Sequence, residues 1–292
     1  MIGVFDSGHG GLTVLRALRA RLPDQGFLYF GDHAHAPYGN RPPADILRLT
    51  RQAADGLFQR GCRLVIIACN TAAAVALRPL QQEWLPHAHP DKRLLGVLVP
   101  MVEAITGVPW ITTDTAAARP AGPARTVAVF ATRGTVRSDA YPREVHKRAP
   151  EVTVVQQACP RLASAIEAGA TPDDLSRLVR GSVRGLRRKL GGWPDYAVLG
   201  CTHYPLVAHH FRAHLPPAVT LLDQPVTVAE SLAHYLARRP EFTSRSMAAP
   251  RLLTSGRPDT VSDLASRFIG LEQRFEPNGV AAPSVGCHKS TS

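Results

Sequence analysis

With 292 residues, 45% of them hydrophobic, the chain has enough apolar material for one or two globular domains, which excludes a disordered or fibrous polymer. Lysine and arginine total 34 against 23 acidic residues, a net +11 that favours anionic partners, from a small carboxylate to nucleic acid, without choosing among them. Five cysteines, an odd number without paired CxxC spacing, point to free thiols and away from a disulfide framework.

The N-terminus, MIGVFDSG, lacks a basic leader and enters a strand directly, so a cytoplasmic protein is expected. Short runs rich in Val, Ile, Leu and Phe predict strands at 2–5, 27–30, 64–68, 94–98, 126–130, 152–155, 196–199 and 219–222. Helical patterns fall between them at 11–21, 43–60, 71–83, 138–148, 161–168, 173–190 and 226–238. The alternation predicts an α/β protein with mostly parallel, doubly wound sheets. The most membrane-like stretch, 94–113, is interrupted by Pro100, Glu103 and Pro109, so it reads as strand, loop, helix and loop, and no membrane partner is expected.

The 173–190 helix has clear punctuation. Thr171, Pro172 and Asp174 open it and Gly191 and Gly192 close it. Arg177, Arg180, Arg184, Arg187 and Arg188 form one stripe opposite Leu175, Leu178, Val179, Leu186 and Leu190. No RNA or DNA motif accompanies the stripe, so it reads as a solvated face; a basic nucleic-acid or regulatory binding protein is the alternative.

An internal echo links the two halves. IGVF leads into DSGHGG and TVAVF into ATRGT, while LVIIA is followed by CNT and YAVLG by CTH. Asp6 to Cys69 spans 63 positions and Thr132 to Cys201 spans 69, as two copies of one architecture would give. In open parallel sheets ligands bind beyond the carboxyl ends of the strands, so the four loops are expected to meet in a cleft between the halves.

Cys69 and Cys201 would then stand at opposed strand ends. Moving a proton from one face of a carbon to the other needs a base on one side and an acid on the other, and a thiol near pKa 8.5 reaches both forms when local charge assists. Such a site needs no cofactor. Asp6 is placed to serve Cys69 and His203 to serve Cys201. The turn Asp6-Ser7-Gly8-His9-Gly10-Gly11 is expected to offer backbone N–H groups to a carboxylate, with Ser7, Asn70, Thr71, Thr132, Thr135 and Thr202 as neutral donors. The turn fits neither the dinucleotide fingerprint nor a phosphate-binding loop. His33, His35, His209 and His210 lack a compatible set of further ligands, so no metal is expected. Cys62 and Cys159 read as packing residues and Cys287 as a tail thiol.

FDSGHGGLTVLRAL, YFGDHAHAPYGNR, IIACNTAAAVAL, ATRGTVRSDAY and VLGCTHYPL, in this order and spacing, resemble the glutamate racemases of the aspartate/glutamate racemase superfamily from about residue 2 to residue 238, with a fainter trace at 254–256. The resemblance implies cofactor-independent interconversion of L- and D-glutamate for peptidoglycan synthesis in a bacterial cytoplasm, by a homodimer. It implies Cys69 and Cys201 as the acid/base pair, Asp6 and His203 as auxiliaries, and Asp6, Ser7, Tyr38, Gly39, Asn70, Thr71, Thr132, Thr135, Thr202 and His203 as substrate contacts. It also implies two domains, 1–98 joined by 209–292, and 99–208. Aspartate or a broader amino-acid set is the alternative substrate. Departures are His9, His33 and His35, which stand in place of an apolar residue, a threonine and an arginine and could alter the cleft's charge. The stretch 107–124 does not match, and the tail beyond 257 is expected to fray.

Overall fold

The computed structural model describes residues 1–109, 124–269 and 272–279. The first half runs β1 (Ile2–Asp6), α1 (Leu12–Arg21), β2 (Phe27–Gly31), α2 (Pro43–Gln59), β3 (Leu64–Ile67), α3 (Asn70–Pro79), α4 (Leu85–Ala88), β4 (Arg93–Gly96) and α5 (Leu98–Thr106). The second continues with β5 (Arg125–Ala131), α6 (Arg133–Ser138), α7 (Ala140–His146), β6 (Val152–Ala158), α8 (Leu162–Glu167), α9 (Pro172–Leu190), β7 (Tyr196–Gly200), α10 (Ala208–His214) and β8 (Thr220–Leu222). The chain ends with α11 (Gln224–Arg238), β9 (Arg251–Thr254), α12 (Pro258–Ile269) and β10 (Glu276–Pro277).

Every strand-to-strand ladder is parallel, and the described strands form two sheets. β1, β2 and β3 are buried along their whole length. Helices cover both faces of a doubly wound sheet, which is why these strands read as unbroken apolar runs without alternation. The sheet orders are β10-β9-β2-β1-β3-β4 and β6-β5-β7-β8. Stripped of β9 and β10, the first repeats the second strand for strand, so the echo in the sequence is an echo in topology. In each sheet the order reverses direction between its first and third strands, at β1/β3 and β5/β7, where a crevice opens at the carboxyl ends.

Caps and breaks explain the boundaries. Thr171 caps α9 by accepting the Asp174 N–H, and Gly191 ends it in the left-handed region. The arginines of its stripe are exposed while Val179, Val183 and Leu186 are buried, as a solvated face requires. The single helix expected over 71–83 is instead α3, a π-turn at Leu80–Trp84 and α4, with Pro79 and Pro86 interrupting the regular ladder.

Two expectations are corrected. The return to the first half does not begin at residue 209: Phe211, Leu215 and Val219 pack in the core of the second sheet and β8 pairs with β7, so the crossing comes at α11, whose Val228, Ala229, Leu232 and Leu236 join the first core. The tail beyond 257 does not fray as far as residue 279. α12 and β10 extend the first sheet, and Val261, Ala265 and Phe275 enter its core. The sequence hid this because β10 is two residues long and its ladder partner, Leu253-Thr254, lies over twenty positions away. Cys287 and most of the unmatched 107–124 stretch lie outside the described residues; the four described cysteines, Cys62, Cys69, Cys159 and Cys201, are free thiols.

Candidate active site

One pocket lies where the two crevices face each other. It is walled by Ser7, the Ala36–Gly39 loop, Cys69, Asn70, Thr71, Thr132, Ala163, Glu167, Cys201, Thr202 and His203, and it encloses ≈ 400 Å³ of space that is partly open to solvent. Cys69 follows β3 and caps α3, its sulfur accepting the Ala72 N–H at 3.5 Å; Cys201 follows β7 directly. Both thiols are buried and face this one cavity, one from each sheet.

The surroundings of the two sulfurs differ. Burial, and then the charge of Asp6, push the Cys69 thiol up to about 12, against hydrogen bonds from Ser7 and Ala72. Asp6, wholly buried, is lifted by desolvation to about 6 despite the nearby His203 charge. The Ser7 hydroxyl meets Sγ of Cys69 at 3.4 Å. The Asp6 carboxylate accepts the Gly8 N–H at 2.9 Å and, across the cleft, the Thr202 hydroxyl at 3.1 Å, so it acts on Cys69 through its charge.

Cys201 has a different partner. Its sulfur lies 3.8 Å from Nδ1 of His203, whose Nε2 lies 2.8 Å from Oε1 of Glu167. Burial opposes charge on this imidazole, but the bonds to Cys201 and Glu167 override it and hold His203 well above its ordinary range. Glu167 is held below the usual carboxylate range, its own burial outweighed by the His203 bond and charge. The result is an imidazolium–carboxylate pair backing a thiol. Glu167 carried no motif in the sequence. Its one signal was position: an acid on the last residue of a helix, where the dipole disfavours negative charge, calls for a cation opposite.

The remaining predicted contacts divide. Thr71, Thr132 and Thr135 join their hydroxyls across the cleft, Thr71 to Thr132 at 2.9 Å and Thr132 to Thr135 at 3.1 Å. Thr135 is wholly buried and does not line the pocket, so it props the other two. The Tyr38 hydroxyl donates to Asp32 at 2.6 Å, leaving its ring as pocket wall. Gly39 lies so near the second half that a Cβ there would stand 2.8 Å from that of Thr132. The glycine-rich turn does not present the expected array of N–H donors. Gly8 N–H goes to Asp6, Leu12 N–H to His9 and Thr13 N–H to Gly10, and only Ser7 of the turn reaches the pocket.

The turn's glycines serve close approach instead. A Cβ on Gly10 would fall 2.4 Å from Oγ1 of Thr202 and 2.6 Å from Nδ1 of His203. Gly10→Ala is therefore expected to displace His203 from Cys201 and to lower turnover about a hundredfold, with overpacking costing about 1–3 kcal/mol. Steady-state kinetics and thermal melts on the variant check both.

His9, His33 and His35 are not among the residues that line the pocket. The rings of His9 and His33 meet at 4.2 Å, with that of His33 5.4 Å from Phe275 in the tail. Burial holds His9 below its ordinary range and, with the neighbouring His9 charge, pushes His33 to about 3. His35 pairs with Asp32 at 2.8 Å. Among the described residues no group of three or more His, Cys, Asp or Glu side chains is placed to hold a metal ion, and no helix is long and apolar enough to cross a membrane.

Two thiols, each beyond the carboxyl edge of a matching sheet, thus face one pocket, with Asp6 near the first and His203 beside the second. Residues 96–232 match the family model for Asp/Glu/hydantoin racemases. The glutamate racemase of Phenylobacterium zucineum is 45% identical over 94% of this chain and 99% of its own, and that of Ruegeria pomeroyi is 49% identical over 94% and 98%. Among solved structures, a glutamate racemase isoform of Bacillus anthracis superposes with a TM-score of 0.79 at 27% identity, covering 95% of this chain and 96% of that one. The Francisella tularensis glutamate racemase, solved with D-glutamate, gives 0.78 at 26% identity over 94% and 95%. The chain belongs to the Asp/Glu/hydantoin racemase family, among its glutamate racemases, and is thus an amino-acid racemase, an isomerase.

Proposed function

We propose that this chain interconverts L- and D-glutamate without a cofactor, passing the α-proton between Cys69 and Cys201. The observation that carries the reading is the shared pocket: two sulfurs from opposite sheets, with a buried carboxylate near one and an imidazolium near the other. One enantiomer loses its proton to the thiolate of Cys69 and the carbanion-like species is reprotonated by Cys201; the other enantiomer reverses the roles.

The electrostatics suit a substrate with a positive amino group. Burial and the Asp6 charge hold Cys69 as a thiol. An α-ammonium near Asp6 would offset that charge and bring the thiolate within reach, so the substrate helps to activate its own base. At Cys201, His203 stands 3.8 Å from the sulfur, placed to exchange a proton with it in either direction. Among the described residues no Lys or Arg lines the pocket, so the two carboxylates of glutamate would be held by neutral donors: Ser7, Thr71, Thr132 and the first-turn N–H groups of α3 at Asn70 and Thr71.

The bacterial relatives support a role in supplying D-glutamate for peptidoglycan in the cytoplasm. The family resemblance supports a homodimer, which light scattering on the purified chain checks. Purified chain given L-glutamate, with chelator and no added cofactor, is expected to form D-glutamate until the enantiomers are equal, as read by chiral chromatography. Aspartate should turn over far more slowly. Absence of D-glutamate, or faster turnover of aspartate, would overturn the assignment.

A further inference from the structure

Gln224 opens α11 at the point where the chain leaves the second sheet for the first. Its side chain is buried against Asn70 of α3 and Tyr141 of α7, all three at most 2% exposed. Nδ2 of Asn70 donates to Oε1 of Gln224 at 2.7 Å, and Nε2 of Gln224 donates back to Oδ1 of Asn70 at 3.0 Å. The Tyr141 hydroxyl donates to the same Oδ1 at 3.0 Å and accepts from Nε2 of Gln224 at 3.2 Å. Three elements from both halves thus close one ring of hydrogen bonds around a single asparagine.

An asparagine amide has two N–H donors and an oxygen with two lone pairs. Both lone pairs and one N–H of Asn70 are taken, so its side chain has one N–H left for a ligand. Turning the amide would set oxygen against oxygen and leave buried groups unpaired, which the low local dielectric penalises. Asn70 is also the first residue of α3, directly between Cys69, the cap, and Thr71, and both neighbours face the pocket. We infer that Gln224 and Tyr141 are positioning residues, a clamp on Asn70 that fixes the first turn of α3 and so sets the Cys69 sulfur, the Thr71 hydroxyl and the one remaining Asn70 N–H against the opposite half. The inference rests on the two-thiol racemase reading given above.

Three variants test it, each compared with wild type at a temperature well below its own melting point. Gln224→Leu keeps bulk but no hydrogen bond, and should lower kcat/KM about thirtyfold or more for both enantiomers, since misplaced reacting groups cost roughly this much. Tyr141→Phe keeps the amide pair and the ring and should cost less, about three- to tenfold. Gln224→Glu gives the readout that a purely structural role would not move. A buried carboxyl has a raised pKa. Below that pKa its O–H can donate to Oδ1 of Asn70 as the amide does; above it, a carboxylate faces that oxygen. The activity of Gln224→Glu relative to wild type should therefore rise about tenfold or more as pH falls from about 9 to about 6, while that of Gln224→Leu stays flat. An active wild type with a folded Gln224→Leu or Tyr141→Phe of unchanged kcat/KM, or a flat Gln224→Glu ratio, overturns the clamp alone. A wild type that does not racemise glutamate overturns the two-thiol reading and the clamp with it.

Discussion

Replacing either thiol, Cys69→Ser or Cys201→Ser, is expected to abolish racemisation, lowering kcat about 10³-fold or more in both directions, because each direction uses one sulfur as base and the other as acid. A hydroxyl at either position is too weak an acid to supply its anion near neutral pH. The fold should survive, since serine replaces a buried sulfur at a strand end and removes no large packing group. The residual chemistry discriminates more sharply than the loss. Each variant keeps one competent thiol, so with a substrate whose proton faces that thiol it should still catalyse exchange or elimination from one enantiomer only. Chiral chromatography of the product and proton NMR of exchange in heavy water read these outcomes, and full racemisation by either variant would contradict the assignment of paired roles.

Glu167→Gln should lower kcat about a hundredfold and move the pH profile. His203 is held above its ordinary range by Cys201 and Glu167 acting against burial, so the imidazolium persists below that raised pKa and is lost as pH rises through it. Removing the carboxylate leaves burial less opposed, and the His203 pKa falls. The alkaline limb of kcat, in the direction where Cys201 must donate, is then expected to move to lower pH by about one unit or more, equivalent to about 1.4 kcal/mol per unit. The limb set by Cys69 should move less, since Glu167 reaches that thiol only through His203 and then Asp6. A profile unchanged in shape would show that Glu167 does not set the charge on His203.

The parts of the site legible in the sequence are those whose signal is local. Cys69 and Cys201 announce themselves as polar interruptions at the ends of apolar runs, and the near-equal spacing of the two halves anticipates the matching orders β2-β1-β3-β4 and β6-β5-β7-β8. What the sequence did not reveal acts between residues far apart along the chain. Glu167, Gln224 and Tyr141 reach their partners 36, 154 and 71 positions away, and no spacing rule connects such residues. The glycine-rich turn was legible as a turn but not as a clearance. Nothing local tells that Gly10 must make room for Thr202 and His203, so by sequence alone the turn resembles an anion cradle. The order in the tail after residue 257 is hidden for a similar reason: Phe275 gains its meaning only against the rings of His9, His33 and Tyr29.

The central claim is that two sulfurs stand on opposite faces of one stereocentre, and the most direct measurement is the fate of the α-hydrogen. Converting L-glutamate to D-glutamate in heavy water and following the α-position by proton NMR and mass spectrometry, the account predicts that the D-glutamate formed carries solvent deuterium at Cα from the earliest turnover, because the proton delivered by the second thiol comes from solvent. D-glutamate that kept its original α-hydrogen would contradict it, since the same proton would then have been carried from one face to the other by a single group.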